Sequence, residues 1–437
     1  MSTHSQPAPG SRVKIQINKK GALKDIEGIL MPTDDDAHTF VKLDSGYNLG
    51  VENKSIVKIQ TISALSSKPT TAHHIPLAKN LPTITLLHTG GTIASKVDYE
   101  SGGVTAKYSA HDLLQLVPEL ATIANIKTEL VANIMSEDMN FSDYHKIIAG
   151  IKKHAADCDG IIIGHGTDTL GYTAAALAFA LETISIPVIL VGSQRSSDRG
   201  STDAAANLIC AAQFITQTNF AGVAICMHHT SSDDVCAILP PTKTRKMHTS
   251  RRDAFQPINA APIALVHYPT GKVDILATDY ARKSAGTLMV QEKFSPNIGL
   301  LKVHPSIKPE LVEFFAKNYA GIVIEGTGLG HAPTNTPENL KNYETLKKYI
   351  KQGGIVAITS QCLYGRVHPS VYTNLRRLAE IGCIFCEDML PETAYIKLAW
   401  LLGNYSADEA KIHLAKNMRG EITERSEYEE EFLKMKQ

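Results

Sequence analysis

"IIIGHGTDTLGYTAAALAFAL", residues 161–181, changes its hydrophobic period halfway along. Three consecutive isoleucines predict a strand buried on both faces, as in parallel sheets. Leu170, Thr173, Ala174, Leu177, Ala178 and Leu181 then follow at the i, i+3, i+4 spacing of one helix face. A buried strand that turns through His-Gly-Thr-Asp-Thr into a helix is half of a βαβ unit. Ligands of open parallel sheets bind beyond the carboxyl ends of such strands. Thr167 and Asp168 stand at that end.

The pattern extends in both directions. "TITLLHTGG", "IPVILVGSQ" and "GVAICMH" are further apolar runs that end in small or polar residues, and "DAAANLICAAQFI" is another helix. From Thr83 onward the chain therefore reads as α/β with a mainly parallel sheet. A second α/β unit follows a break near 285–297: strands "IGLLKVH", "YAGIVIEG" and "IVAITSQ" alternate with the helical "KPELVEFFAKN", "PENLKNYETLKKYIKQGG" and "SVYTNLRRLAEIG". Residues 11–62 differ. Short strands broken by "NKKG", "PTDDDA" and "DSG", with no helical stretch, predict a small all-β barrel. The expected division is a lead-in and barrel over 1–62, a Pro/Ser/Thr-rich linker over 63–82, an α/β domain over 83–290 and a smaller one over 291–437. The charged stretch from Arg419 to the end reads as a solvated or partner-docking helix.

Composition narrows the function. The 437 residues carry 44 Lys+Arg against 44 Asp+Glu, so no global charge excess points to nucleic acid or membrane. The barrel and linker hold ten basic and seven acidic residues, a weak excess. No apolar run approaches the ~18 residues of a membrane span, and "MSTHSQPAPGSRVK" lacks the apolar core of a secretory signal. A cytoplasmic protein is expected. The seven cysteines lie mostly in apolar runs and read as buried thiols. Cys383 and Cys386 form one CxxC without a second pair, and the His-His pairs at 73–74 and 228–229 lack partners at ligand spacing, so no metal is expected.

Two polar turns remain for chemistry: "LLHTGGTIAS", with Thr89, Gly90, Gly91 and Thr92, and the turn holding Gly166, Thr167 and Asp168. Their glycines leave backbone N–H groups free for a developing oxyanion. Neither turn is GxGxxG or Walker A, and no Gly-x-Ser-x-Gly elbow occurs. Threonine is left as nucleophile, which needs a base. Asp168 can orient such a base or bind a substrate ammonium. In "ILPPTKTRKMHTSRRD", Lys243 follows an apolar strand and two prolines and can serve as a desolvated base. The same segment also reads as a solvated basic loop, five of residues 243–252 being Lys or Arg.

"HTGGTIAS" and "GHGTDTLGYTA" resemble the two signature motifs of the bacterial-type L-asparaginases. "NIMSEDM", "PVILVGSQR", "LPPTKTRK" and "IEGTGLGHAP" are similar to that family's further landmarks, in the same order, over about 83–410. The resemblance implies an asparaginase-like two-domain core, the second domain flavodoxin-like. It implies hydrolysis of a side-chain amide through an acyl-enzyme. Thr92 is then the first nucleophile, and Thr167, Asp168 and Lys243 form the base-activating group. Ser136 and Glu137 would hold the substrate's α-carboxylate and α-amino groups, beside Gly91 and Gly166. Glu137 stands where many asparaginases have glutamine. Tyr99, in "KVDYESGG", is preferred over Tyr108 as the tyrosine of a mobile loop.

"EGILMP", "VKLDSGYNLGV" and the tail "RGEITERS" resemble the D-subunit family of archaeal glutamyl-tRNA(Gln) amidotransferases. That resemblance implies release of ammonia from glutamine by this chain. A partner E subunit would use ATP and magnesium to activate glutamate on tRNA(Gln), in a complex holding two copies of each subunit. No cofactor is implied in this chain. A stand-alone L-asparaginase or glutaminase with an appended barrel is the alternative. An idle RNA- or sugar-binding module is a third reading, opposed by Thr92, Thr167, Asp168 and Lys243 being intact.

Overall fold

A computed structural model describes residues 7–19, 21–31, 33, 37–43, 48–63, 78–90, 95–97, 104–106, 117–195, 202–284 and 286–426. Near the amino terminus, β1 (Arg12–Lys19), β2 (Ala22–Leu30), β3 (His38–Lys42), β4 (Asn48–Glu52) and β5 (Ile56–Ser63) form one antiparallel sheet in the order β4-β3-β2-β1-β5. Alternate residues Val13 and Ile15 of β1 are fully buried, against Ile26, Leu30, Val41 and Val51. Among the described residues no ladder joins β4 to β5, so the expected barrel is open at that seam. Of the expected linker, residues 64–77 lie outside the described residues. Its far end is docked: the Asn125 side chain donates to the carbonyls of Ala78 and Leu81 and accepts from the Ala78 N–H.

The central unit contains β6 (Thr83–His88), β7 (Asn125–Leu130), α1 (Phe141–His154), β8 (Gly160–Gly164), α2 (Leu170–Ala180), β9 (Pro187–Val191), α3 (Ala204–Gln217), β10 (Gly222–His228) and β11 (Val235–Leu239). A short ribbon of β12 (Thr244–Lys246) and β13 (Phe255–Pro257) follows, then β14 (Ala264–His267) and β15 (Val273–Ile275). Among the described residues the main sheet runs β15-β14-β11-β10-β9-β8-β6-β7. It is parallel from β7 to β10 and antiparallel beyond. The sheet is thus mixed. Only six residues separate β10 from β11, too few for the crossover a parallel pair requires.

The chain passes from β6 out to β7 and returns to the other side of β6 as β8. That reversal creates a switch point between β6 and β8, where the crevice of an open sheet forms. α1 is held by a capping box, Asn140 with Asp143, and by Lys152, Lys153 and His154 in its last turn. α2 departs from its one-faced reading. Nine of its eleven residues are buried, because a second layer covers the side turned away from the sheet.

That layer belongs to the C-terminal unit. β16 (Ile298–Lys302), β17 (Gly321–Gly326), β18 (Ile355–Ser360) and β19 (Ile384–Phe385) are all parallel and adjacent in chain order. Among the described residues this sheet lacks the strand reversal of a flavodoxin-like order. Its α4 (Pro309–Asn318), α5 (Leu340–Lys351) and α6 (Thr373–Glu380) precede α7 (Pro391–Asn404) and α8 (Ala407–Leu414). α7 packs on α2 inside one apolar cluster shared by both units, and Trp400 stacks on Phe179 with ring centroids 5.5 Å apart. Residues 419–426 form no helix. Glu421 within them is fully buried against Lys397, 2.6 Å away, and Ile422 is buried too, whereas residues 424–426 are exposed, so the tail departs from the expected solvated helix at 421–422. Residues 427–437 lie outside the described residues.

Candidate active site

The ends of β6 and β8 lie side by side, with His88 in register with Gly164. Thr89 continues that pairing: its N–H and hydroxyl both donate to the Gly164 carbonyl, at 3.0 and 3.1 Å. Gly90 follows with φ +98°, and a Cβ there would lie 2.9 Å from the backbone nitrogen of Ile134. This corner therefore requires glycine. Gly91, Thr92, Tyr99 and Tyr108 lie outside the described residues.

From β8 the chain enters the His165–Thr169 turn. Thr167 is buried and Asp168 exposed. Two close approaches fix the turn. A Cβ on Gly166 would sit 2.8 Å from both Cβ and Oγ of Ser136, and a Cβ on Gly192, just past β9, 2.8 Å from Cγ2 of Thr167. Thr169, at the N-cap of α2, donates to the Ser136 carbonyl at 2.6 Å instead of capping its own helix. Ser136 is thereby brought to Gly166–Thr169, buried in the turn Ser136–Asp138, with Glu137 exposed beside it.

Beneath the turn, His165 is fully buried. Its Nδ1–H donates to the Gly166 carbonyl (2.6 Å), and its Nε2 accepts from the Thr173 hydroxyl (2.8 Å). Both bonds suit a neutral ring, and burial pulls the imidazole down to about 4 despite the carbonyl bond.

The cation at the threonine is Lys246. Its Nζ donates to Thr167 Oγ1 at 2.9 Å and to Asp168 Oδ1 at 2.7 Å. Lys246 ends β12, which β13 holds through Lys246–Phe255 and Arg245–Gln256 pairing. The expectation for Lys243 is corrected. That side chain is 1 % exposed and donates to Asp388 Oδ2 of the C-terminal unit at 2.5 Å. Burial lowers its pKa, against the opposing pull of Asp388. Lying just past the buried β11, Lys243 takes a buried carboxylate as countercharge. Lys246, one strand further on, emerges at the crevice. Sequence reasoning also passed over Gly192, His165 and Thr173. The smallness of Gly192 at a strand end was the only signal that could have found it.

Next to the pair lies a cavity of about 210 Å³ between the two units, lined by Asp168, Tyr172, Lys246, Arg245, Glu392 and Thr393. Arg245 meets Glu392 at 3.1 Å. Burial pushes the Tyr172 phenol up to about 12, so it stays a neutral donor at working pH. No group of three or more His, Cys, Asp or Glu among the described residues is arranged to hold a metal ion. No helix among them is long and apolar enough to cross a membrane.

Chemically, the arrangement offers a buried hydroxyl that touches an ammonium, a carboxylate on that same ammonium, and glycine turns at a sheet's switch point. Such a set can move a proton to or from a nucleophile.

Three family models match the chain: "Asparaginase, N-terminal" over residues 83–280, "Glutaminase/Asparaginase C-terminal domain" over 297–414 and "GatD N-terminal domain" over 8–62. The D subunit of glutamyl-tRNA(Gln) amidotransferase from Pyrococcus furiosus is 46% identical over 422 residues, 95% of this chain and 94% of its own. The D subunit from Thermococcus kodakarensis is 47% identical over 88% of this chain and 86% of its own. Among solved structures, the thermostable L-asparaginase from Thermococcus kodakarensis superposes with a TM-score of 0.69 at 32% identity, covering 78% of this chain and 99% of that one. L-asparaginase I from Vibrio cholerae gives 0.68 at 27% identity, covering 78% and 99%.

Proposed function

This chain belongs to the D-subunit family of glutamyl-tRNA(Gln) amidotransferases, and on that premise we propose that it is the ammonia-releasing component, hydrolysing glutamine through a threonine acyl-enzyme. The observation that carries the reading is Lys246 bridging Thr167 and Asp168 at the switch point. A threonine hydroxyl attacks the side-chain amide carbon. Its proton passes along Thr167 and Lys246 to the departing nitrogen, the C–N bond breaks, and ammonia leaves. Water then enters by the same relay and releases glutamate. Asp168 keeps the lysine on Thr167, and the nearby cation makes loss of the hydroxyl proton easier. Thr92 is proposed as the first nucleophile, Thr167 as its proton partner. Ser136 and Glu137 bind the α-carboxylate and α-amino groups, Glu137 adding negative charge beside the amine. Tyr99, outside the described residues, is proposed as a further substrate contact.

Ammonia then goes to a partner E subunit, which uses ATP and magnesium to amidate glutamate carried by tRNA(Gln) in the cytoplasm, in an assembly of two copies of each. Support comes from the N-terminal sheet, which has a family model of its own and falls outside the 83–280 and 297–414 matches. The test supplies the chain, the E subunit, ATP and misacylated tRNA with glutamine or with asparagine. Glutamine-dependent amidation is expected. Strong preference for asparagine, unaffected by partner and tRNA, would overturn the reading in favour of a stand-alone asparaginase.

A further inference from the structure

The buried pair that Lys243 forms lies three residues from Lys246, on the same backbone. Asp388 holds Lys243 through Oδ2 and through its own carbonyl, at 2.5 and 3.2 Å. The same carboxylate accepts the N–H and the hydroxyl of Thr423, at 2.9 and 2.5 Å. Both ionised side chains are almost wholly buried. Four residues before Thr423, the Arg419 carbonyl accepts from the Thr242 hydroxyl at 3.1 Å, and the Arg419 Nε donates to the carbonyl of Ala178 at 3.0 Å. Thr242 is the residue before Lys243. Ala178 is in the last turn of α2, whose first turn follows Thr167 and Asp168. Residues 419–423 therefore touch both elements that meet at the site: the ribbon that presents Lys246 and the helix behind Thr167.

The strap is anchored at both ends. Glu421 accepts from the N–H groups of Met418 and Arg419 and pairs with Lys397. Arg366 donates to the carbonyls of Thr423 and Glu424 and to the Ser426 hydroxyl. The Lys243 carbonyl also accepts the Ile258 N–H at 2.8 Å, which extends the ribbon's ladder one step past β12 toward the pinned lysine.

We infer that Asp388 and Thr423 are positioning residues for Lys246. They fix the Lys243 end of β12, and so set where the Lys246 ammonium falls against Thr167. This rests on the role assigned to Lys246 above. A misplacement of about 1 Å in such a group lowers turnover by about 100-fold.

The test uses the full chain and follows ammonia release from glutamine, with folded fraction read by circular dichroism. Asp388→Asn alone leaves a buried charge unpaired and can fail to fold. Two other variants avoid this. Thr423→Val removes a hydroxyl and keeps the ion pair. Lys243→Met with Asp388→Leu replaces the pair by apolar groups of similar size, a change that folds tolerate. In both, kcat per folded molecule is expected to fall at least tenfold, with KM for glutamine within twofold. Unchanged kcat per folded molecule in both variants would overturn the inference. Lys246→Met, run beside them, separates the two failures. If that variant keeps its activity, the role of Lys246 itself is wrong. If it is dead while the other two are normal, only the positioning is wrong.

Discussion

At the scale of residues, two lysines three positions apart do different things because of what surrounds them. Lys246 is mostly buried but bonded to an exposed carboxylate, whereas Lys243 is sealed with Asp388. Lys246→Met is expected to lower glutamine hydrolysis at least ~100-fold with little change in melting temperature, since it removes the proposed proton relay. Lys246→Arg should fail as well, because guanidinium keeps its proton. Lys243→Met alone should instead cost about 3–5 kcal/mol of stability in urea unfolding, by leaving Asp388 buried and unpaired. His165 gives a pH prediction. Unfolded, its ring takes a proton near 6.5. Folded, it does so only at about 4. Between these values the unfolded chain holds more protons, so stability falls as pH falls, and the loss levels off below 4. Comparing urea unfolding of the wild type and His165→Gln at pH 7.5, 5.5 and 4.5 should isolate roughly 3 kcal/mol of that loss. Equal pH dependence in the two would contradict a buried neutral ring.

At the scale of elements, the site depends on strand ends that come close enough to touch. Gly192, just past β9, lies against the methyl of Thr167, so in Gly192→Ala the new methyl or the Thr167 methyl must shift. A drop in kcat of tenfold or more is expected, with melting shifted by only a few degrees; unchanged turnover would mean that the turn absorbs the methyl. The two units are joined by α2 on α7. Trp400→Ala should cost about 3–5 kcal/mol. Because Trp400 and Phe179 share one cluster, both units should lose structure in a single transition. Two separate calorimetric transitions would show that each unit folds alone.

For the whole molecule, the N-terminal sheet supplies none of the proposed catalytic groups, and its small excess of basic charge makes it a weak phosphate binder. Removing residues 1–65 should leave ammonia release from glutamine near normal and weaken glutamine-dependent amidation with the E subunit, while amidation from ammonium salt persists. Normal glutamine-dependent amidation by the truncated chain would remove the sheet from coupling. Failure with both nitrogen sources would place the defect at the partner or the tRNA step.

Local pattern alone determined much of this protein. The apolar runs at 84–87, 161–163 and 187–191 specified buried strands, short strands broken by "NKKG", "PTDDDA" and "DSG" specified the small sheet, and the glycine turns after β6 and β8 pointed to the candidate site. These are legible because strand burial and tight turns depend on residues next to one another in the chain. The choice between Lys243 and Lys246 was not legible. It depends on a carboxylate 145 residues further along, and on a strap that ties that carboxylate in place. Nor was the full burial of α2, since its outer side is covered by α7, more than 200 residues later. Countercharge and a second packing layer come from distant segments, so only the tertiary structure decided which lysine meets the threonine and which is locked in the core.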